Sequence, residues 1–152
     1  MRLCVFGAGA IGGLVAARLA KGGAEVAVVA RGAQLAAIRA QGLRVRAHDG
    51  ELHCRPRASD DPAELGPQDA VLVTTKVTAL PEVAARIAPL LGPDTPVVFI
   101  NNGIPWWYFD RTPEDGRRLP VLDPDGALRR NVGIPRTIGA VAYSAAMVRG
   151  MP

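Results

Sequence analysis

Arg2-Leu3-Cys4-Val5-Phe6-Gly7-Ala8-Gly9-Ala10-Ile11-Gly12-Gly13 decides how this chain is read. Leu3 to Phe6 is an apolar run of strand type, and glycines then fall at Gly7, Gly9 and Gly12. Ile11, Leu14, Val15 and Leu19 follow at helical spacing. Strand, glycine turn and helix in that order give Gly-x-Gly-x-x-Gly its meaning, against a plain structural turn. Gly7 permits the tight turn, Gly9 lets a pyrophosphate approach the backbone, and Gly12 lets the helix pack closely on the strand. The helix N-terminus offers unpaired N–H groups and a positive dipole end to phosphates. The run Gly7, Ala8, Gly9, Ala10, Ile11 and Gly12 is therefore assigned to a dinucleotide cofactor.

Working outward, the first helix is expected over Ala10–Lys21, stopped by Gly22-Gly23. Glu25–Ala30 reads as a second buried strand. A helix follows, with Leu35 and Ile38 inward and Gly42 as its stop. Leu43–Ala47 and Glu51–Arg57 read as two strands joined at Asp49-Gly50. Ala58–Gln68 reads as a loop or short helix. Ala70–Thr75 and Pro96–Ile100 read as buried strands, with a helix over Thr78–Leu91 between them and Thr78 as its N-cap. Thr112–Arg136 is polar and proline-rich, with room for one irregular hairpin, and Thr137–Ala146 reads as a last strand. Continuous apolar strands alternating with helices predict an α/β fold: a doubly wound, mostly parallel sheet of Rossmann type, in strand order 3-2-1-4-5-6. The 152 residues suffice for one such domain, 1–152.

Composition narrows the partners. The chain is 49% hydrophobic and 21% charged, and its net charge of +4 comes without a block of like charges. That balance suits anionic ligands and gives no reason to invoke nucleic acid. Cys4 and Cys54 have no Cys or His spacing suited to a disulfide framework or a zinc site, so no metal is expected. No apolar run is long enough to span a membrane, and the chain enters its first strand at once, leaving no room for a signal peptide. A reducing cytoplasm is the expected location.

In an open α/β sheet the ligand crevice lies outside the C-terminal ends of the strands. Arg31, Lys76 and Asn102 each follow such an end and should converge there. Arg31 stands 19 positions after Gly12, where an acid would accept hydrogen bonds from the adenosine ribose. A guanidinium there suits a 2′-phosphate instead, which makes NADP(H) the expected cofactor. Lys76, behind Thr74 and Thr75, either contacts cofactor or anionic substrate or extends its stem from the sheet edge into solvent. Asn102 either hydrogen-bonds a nicotinamide ribose or substrate hydroxyl or merely tolerates an Asn-Gly turn. Trp106, Trp107, Tyr108 and Phe109 are expected to pack, within this domain or against another, and His48 and His53 to be exposed.

Gly7–Gly13 (GAGAIGG), Val29–Val45 (VARGAQLAAIRAQGLRV), Val73–Lys76 (VTTK) and Asn101–Gly103 (NNG) together resemble the N-terminal domain of the ketopantoate reductases, or 2-dehydropantoate 2-reductases. The resemblance covers Met1 to Gly103 well and Thr137–Ala146 loosely. It implies NADPH-dependent reduction of a 2-keto acid to a 2-hydroxy acid, in the pantothenate pathway if the substrate is ketopantoate. It places Arg31 on the 2′-phosphate, Thr75 at the cofactor, and Lys76 and Asn102 at the cofactor and in catalysis. Two departures stand out. Ile104–Phe109 (IPWWYF) replaces the short glycine-containing helix start of the pantoate enzymes. The family's second, helical domain, with its general-acid lysine, is expected to be missing from these 152 residues. The chain is thus expected to be the cofactor half of an enzyme, with a stand-alone NADP(H)-binding module without catalysis as the alternative. The face that would carry the helical domain, with Trp106, Trp107 and the Thr137–Ala146 strand, is expected to be uncovered and to drive association into a homodimer or larger homo-oligomer.

Overall fold

Residues 1–143 and 145–148 are described by the structure, a computed structural model. Its elements follow the apolar runs. They are β1 (Arg2–Phe6), α1 (Ala10–Lys21), β2 (Glu25–Val29), α2 (Gly32–Gln41), β3 (Leu43–Ala47), β4 (Gly50–Cys54), β5 (Arg57–Ser59), β6 (Ala70–Val73), α3 (Leu80–Arg86), β7 (Val97–Ile100), α4 (Ala127–Asn131) and β8 (Thr137–Ala140). A 6-stranded sheet has the order β5-β2-β1-β6-β7-β8, with every pairing parallel. Numbered within this sheet alone, its strands run 3-2-1-4-5-6, the expected doubly wound order.

The sheet is covered on both faces, as its unbroken apolar strands require. Cys4, Phe6, Ala27, Val29, Val71, Val73, Val97 and Phe99 form one core with Leu80, Val83 and Ile87 of the α3 region, and with Trp106 and Leu128. Val5, Val26 and Val28 form the other with Ala16, Leu35 and Ile38 of α1 and α2. Leu80, Ile87, Leu90 and Leu128 are among the largest fully buried side chains, each contributing about 2–3 kcal/mol by burial. The buried residues of α1 are Gly12, Gly13, Ala16 and Ala17, while Val15 and Leu19 are only partly buried against the core. The inner face of that helix is small because close approach to the strand, rather than bulk, is what the glycine turn demands.

Several boundaries differ from the sequence reading. Glu51–Arg57 is not one strand: β4 ends at Cys54 and Arg57 begins β5, which pairs with β2 in the parallel sheet. Pro56 lies between them and has no N–H for a ladder. The β3–β4 hairpin turns at His48-Asp49, because Gly50 already pairs with Ala47. Instead of a helix over Thr78–Leu91, α3 covers Leu80–Arg86 between 3-10 turns at Val77–Ala79 and Ala88–Leu90. Its N-cap is Ala79, with no side-chain cap, and Thr78 lies in the preceding 3-10 turn.

Thr112–Arg136 holds α4 and no hairpin among the described residues. Leu122, Leu128 and Val132 enter the core there, and the buried Asp123 carboxylate accepts hydrogen bonds from the backbone N–H groups of Leu128 and Arg129. β8 stops at Ala140 rather than Ala146, and Ser144 lies outside the described residues. Trp106 is only 3% exposed and so does not belong to an open face; Ile138 of β8 does project, at 49%.

Candidate dinucleotide site and cleft

The turn between β1 and α1 is built from backbone requirements. Gly7 has φ +103°, and a Cβ there would lie 2.6 Å from Thr75 Cγ2. A Cβ on Gly12 would overlap the Gly7 carbonyl oxygen. Thr74 Oγ1 donates to that same carbonyl at 2.6 Å, tying the end of β6 to the turn. Gly9 is different: a Cβ there would meet nothing within 4 Å. It is the N-cap of α1, with no side-chain cap and no acid in the first turn, which leaves the first helix amides without a side-chain acceptor from the cap. Gln34 of α2 donates its amide to the Ala8 carbonyl and holds the turn from the other side.

Beside this turn, at the C-terminal ends of β6 and β7, lies a cleft of about 370 Å³ lined by Ile11, Thr75, Lys76, Asn102 and Ala142, among others. It brings together four of the residues singled out from sequence. Lys76 and Asn102 are both exposed there. Asn101 is partly buried and donates its amide to the Thr75 carbonyl, bracing the two strand ends against each other. Thr75 Oγ1 and Asn101 Oδ1 are buried without a partner among the described residues.

Arg31 does not line this cleft. It is the N-cap of α2, at the end of β2, with its side chain 73% exposed. Its Nη1 donates to Oε1 and Oε2 of Glu82 in α3, at 2.8 and 2.7 Å. No local pattern points to that partner, since Glu82 stands 51 positions away. Gln34 was likewise missed, because a side chain that braces a carbonyl has no spacing signature.

The remaining motifs have structural duties. Trp106 packs edge-on against Phe99 and Trp107, with centroids 6.2 and 5.6 Å away. A second, smaller cavity of about 160 Å³ lies beside this aromatic segment and shares only Val77 and Asn101 with the cleft. His48 and His53 are exposed. Cys4 and Cys54 are both free thiols, and burial pushes the Cys4 thiol up to about 12, so it stays protonated and inert. Among the described residues no group of His, Cys, Asp and Glu could hold a metal ion, and no helix is long and apolar enough to cross a membrane.

The family model described as ketopantoate reductase PanE/ApbA matches residues 3–105. This chain belongs to the ketopantoate reductase family. A 2-dehydropantoate 2-reductase from Mesorhizobium japonicum is 47% identical over 97% of the chain, and the chain spans 46% of that protein. One from Caulobacter vibrioides is 34% identical over 67% of the chain and 33% of its own length. A crystal structure of a candidate ketopantoate reductase from Ralstonia solanacearum MolK2 superposes with a TM-score of 0.90 at 45% identity, covering 97% of this chain and 46% of that one. The chain thus spans about half the length of the curated relatives it matches, and the fold they share is the Rossmann-type one described above.

Proposed function

We propose that this chain is the NADP(H)-binding domain of a reductase that converts a 2-keto acid, ketopantoate foremost, to a 2-hydroxy acid in pantothenate biosynthesis. The observation that carries the reading is the placement of Lys76, Thr75, Asn102 and Ile11 in one cleft beside the open glycine turn. The fit to a dinucleotide rests on this chain's own geometry. Open space at Gly9 and the uncapped N-terminus of α1 suit a pyrophosphate. Arg31 uses one nitrogen on Glu82 and, among the described residues, keeps Nε and Nη2 without a partner. That free edge suits a 2′-phosphate.

When bound, the nicotinamide supplies the hydride. The chain's part is to orient and to polarise. Asn102 offers a hydrogen bond to a ribose or substrate hydroxyl at the cleft, and the Lys76 ammonium attracts a carboxylate or keto oxygen and stabilises charge that develops there. Among the described residues Lys76 is the one titratable side chain lining the cleft, so the proton for the alcohol comes from it or from a residue of a second domain. The complete catalytic site, self-association into a homodimer or larger species and a cytoplasmic setting belong to the same reading. Exposed Ile104, Tyr108 and Ile138 support self-association, which light scattering tests. Two free thiols support the reducing compartment.

Calorimetric titration tests the cofactor assignment. NADPH should bind roughly ten- to a hundredfold more tightly than NADH if Arg31 makes charge-assisted bonds of about 1.5–3 kcal/mol. Arg31→Ala should erase that preference and leave NADH affinity in place. Equal affinities in the wild type would overturn the NADP assignment.

A further inference from the structure

The Arg31–Glu82 pair spans the place where an adenosine 2′-phosphate would sit. β2 and β6 flank β1 in the sheet. Arg31 follows β2 and Glu82 follows β6, so the pair reaches across the C-terminal end of β1, where the glycine turn begins. Glu82 is held from its other side as well: Arg86 Nη1 donates to its Oε1 at 3.2 Å, and Arg86 also donates to the carbonyl of Asp60, just past β5. Two arginines and one carboxylate therefore form a chain from β2 through α3 to the end of β5. The carboxylate takes both of its bonds to Arg31 from a single nitrogen.

We propose that Glu82 is an internal counter-ion that occupies Arg31 in the free protein and sets how strongly a 2′-phosphate is preferred. The inference rests on the NADP(H) reading above and adds to it a residue that weakens the preference. A phosphate dianion gripping the free edge of Arg31 lies within one guanidinium of the Glu82 carboxylate. Like charges at that separation repel, and the repulsion is only partly screened by salt. The pair itself is an exposed one, with side chains 73% and 38% accessible, so it yields to a better anion at small cost. Arg86, anchored on Asp60, keeps the carboxylate from leaving the region when it is displaced. Glu82 thus lowers affinity for the 2′-phosphorylated cofactor selectively, because a ribose hydroxyl carries no charge for it to repel.

The test is titration of the 152-residue chain with NADP⁺, NAD⁺ and adenosine 2′-monophosphate, comparing wild type with Glu82→Gln and Glu82→Ala. Both variants should bind NADP⁺ and adenosine 2′-monophosphate about three- to tenfold more tightly, with NAD⁺ affinity unchanged. The gain should shrink as ionic strength rises. Weaker NADP⁺ binding in both variants would show that Glu82 orients Arg31 and would overturn the proposal. No change, or an equal change for NAD⁺ and NADP⁺, overturns it too. If the wild type binds neither dinucleotide, the cofactor reading fails first and the proposal with it. If the wild type binds NADP⁺ preferentially and the variants bind it no more tightly, only the role of Glu82 fails.

Discussion

The turn after β1 and the segment after β7 leave the same edge of one sheet and solve opposite problems. After β1, three glycines remove side chains so that backbone can approach backbone and space stays open at Gly9. After β7, Trp106 and Trp107 add bulk, filling the region against Phe99 and β8; a Cβ on Gly139 would come within 3.0 Å of Trp107. On the proposed reading, the first region is defined by what a dinucleotide needs to find empty at Gly9. The second is defined by what the core needs to find filled. Both are intolerant of substitution, for different reasons, and the difference can be measured.

The largest effect belongs to the filled region. Trp106→Ala removes a side chain that is 3% exposed and sits among Phe99, Trp107 and Arg129. It should cost about 3–5 kcal/mol in chemical denaturation. A loss below about 1 kcal/mol would mean that the aromatic segment packs elsewhere.

Within the glycine turn the contrast sharpens. Gly12→Ala should cost about 1–3 kcal/mol or more, since its Cβ overlaps the Gly7 carbonyl and the Thr74 hydroxyl. Gly9→Val, at an N-cap where valine ranks below glycine but its Cβ meets nothing, should cost no more than about 1 kcal/mol. It should nevertheless lower dinucleotide affinity by at least about thirtyfold, equivalent to about 2 kcal/mol. Comparable unfolding midpoints for the two variants, or normal NADPH binding by Gly9→Val, would erase the distinction between a packing glycine and a ligand-facing one.

The smallest effect is electrostatic and returns to the aromatic segment. Arg129 makes two hydrogen bonds of 2.7 Å to the Asp110 carboxylate while its guanidinium lies 5.5 Å from the Trp106 ring centroid. The Arg129 bond holds the Asp110 carboxyl below the usual carboxylate range. A depressed folded-state pKa contributes stability above the unfolded value of about 3.9 and loses it as pH falls through the folded one. Asp110→Asn should therefore cost about 1–2 kcal/mol near pH 7 and progressively less below about pH 4. A pH-independent difference in melting temperature would show that the pair contributes through shape alone.

How much of this was readable beforehand follows the same division. Gly7, Gly9 and Gly12 announce themselves by their spacing within six residues, although only Gly7 and Gly12 answer a local backbone demand. The six parallel strands are legible as apolar runs, except β5: its residues Arg57–Ser59 carry no apolar pattern, so Arg57 falls at the end of the hairpin strand read over Glu51–Arg57 and Ala58 and Ser59 fall in the segment read as a loop or short helix. α4 was hidden because Leu128 is the one buried residue of the five in the helix, and its N-terminal amides are satisfied by Asp123 from outside the helix. The cleft residues Lys76 and Asn102 were found by asking where parallel strands end. Glu82 could not be found that way, since an exposed glutamate on a helix has many uses.

Local chemistry, then, determined the α/β order, the parallel sheet and the positions of the glycine turn, Arg31, Lys76 and Asn102, because φ/ψ demands and apolar periodicity act over neighbouring residues. Tertiary structure alone decided that Lys76 and Asn102 share a cleft while Arg31 stands apart from it. It also decided that Glu82 occupies Arg31 and that the tryptophans face inward. Those outcomes depend on contacts between residues tens of positions apart, and they exist only once the strands have been laid side by side.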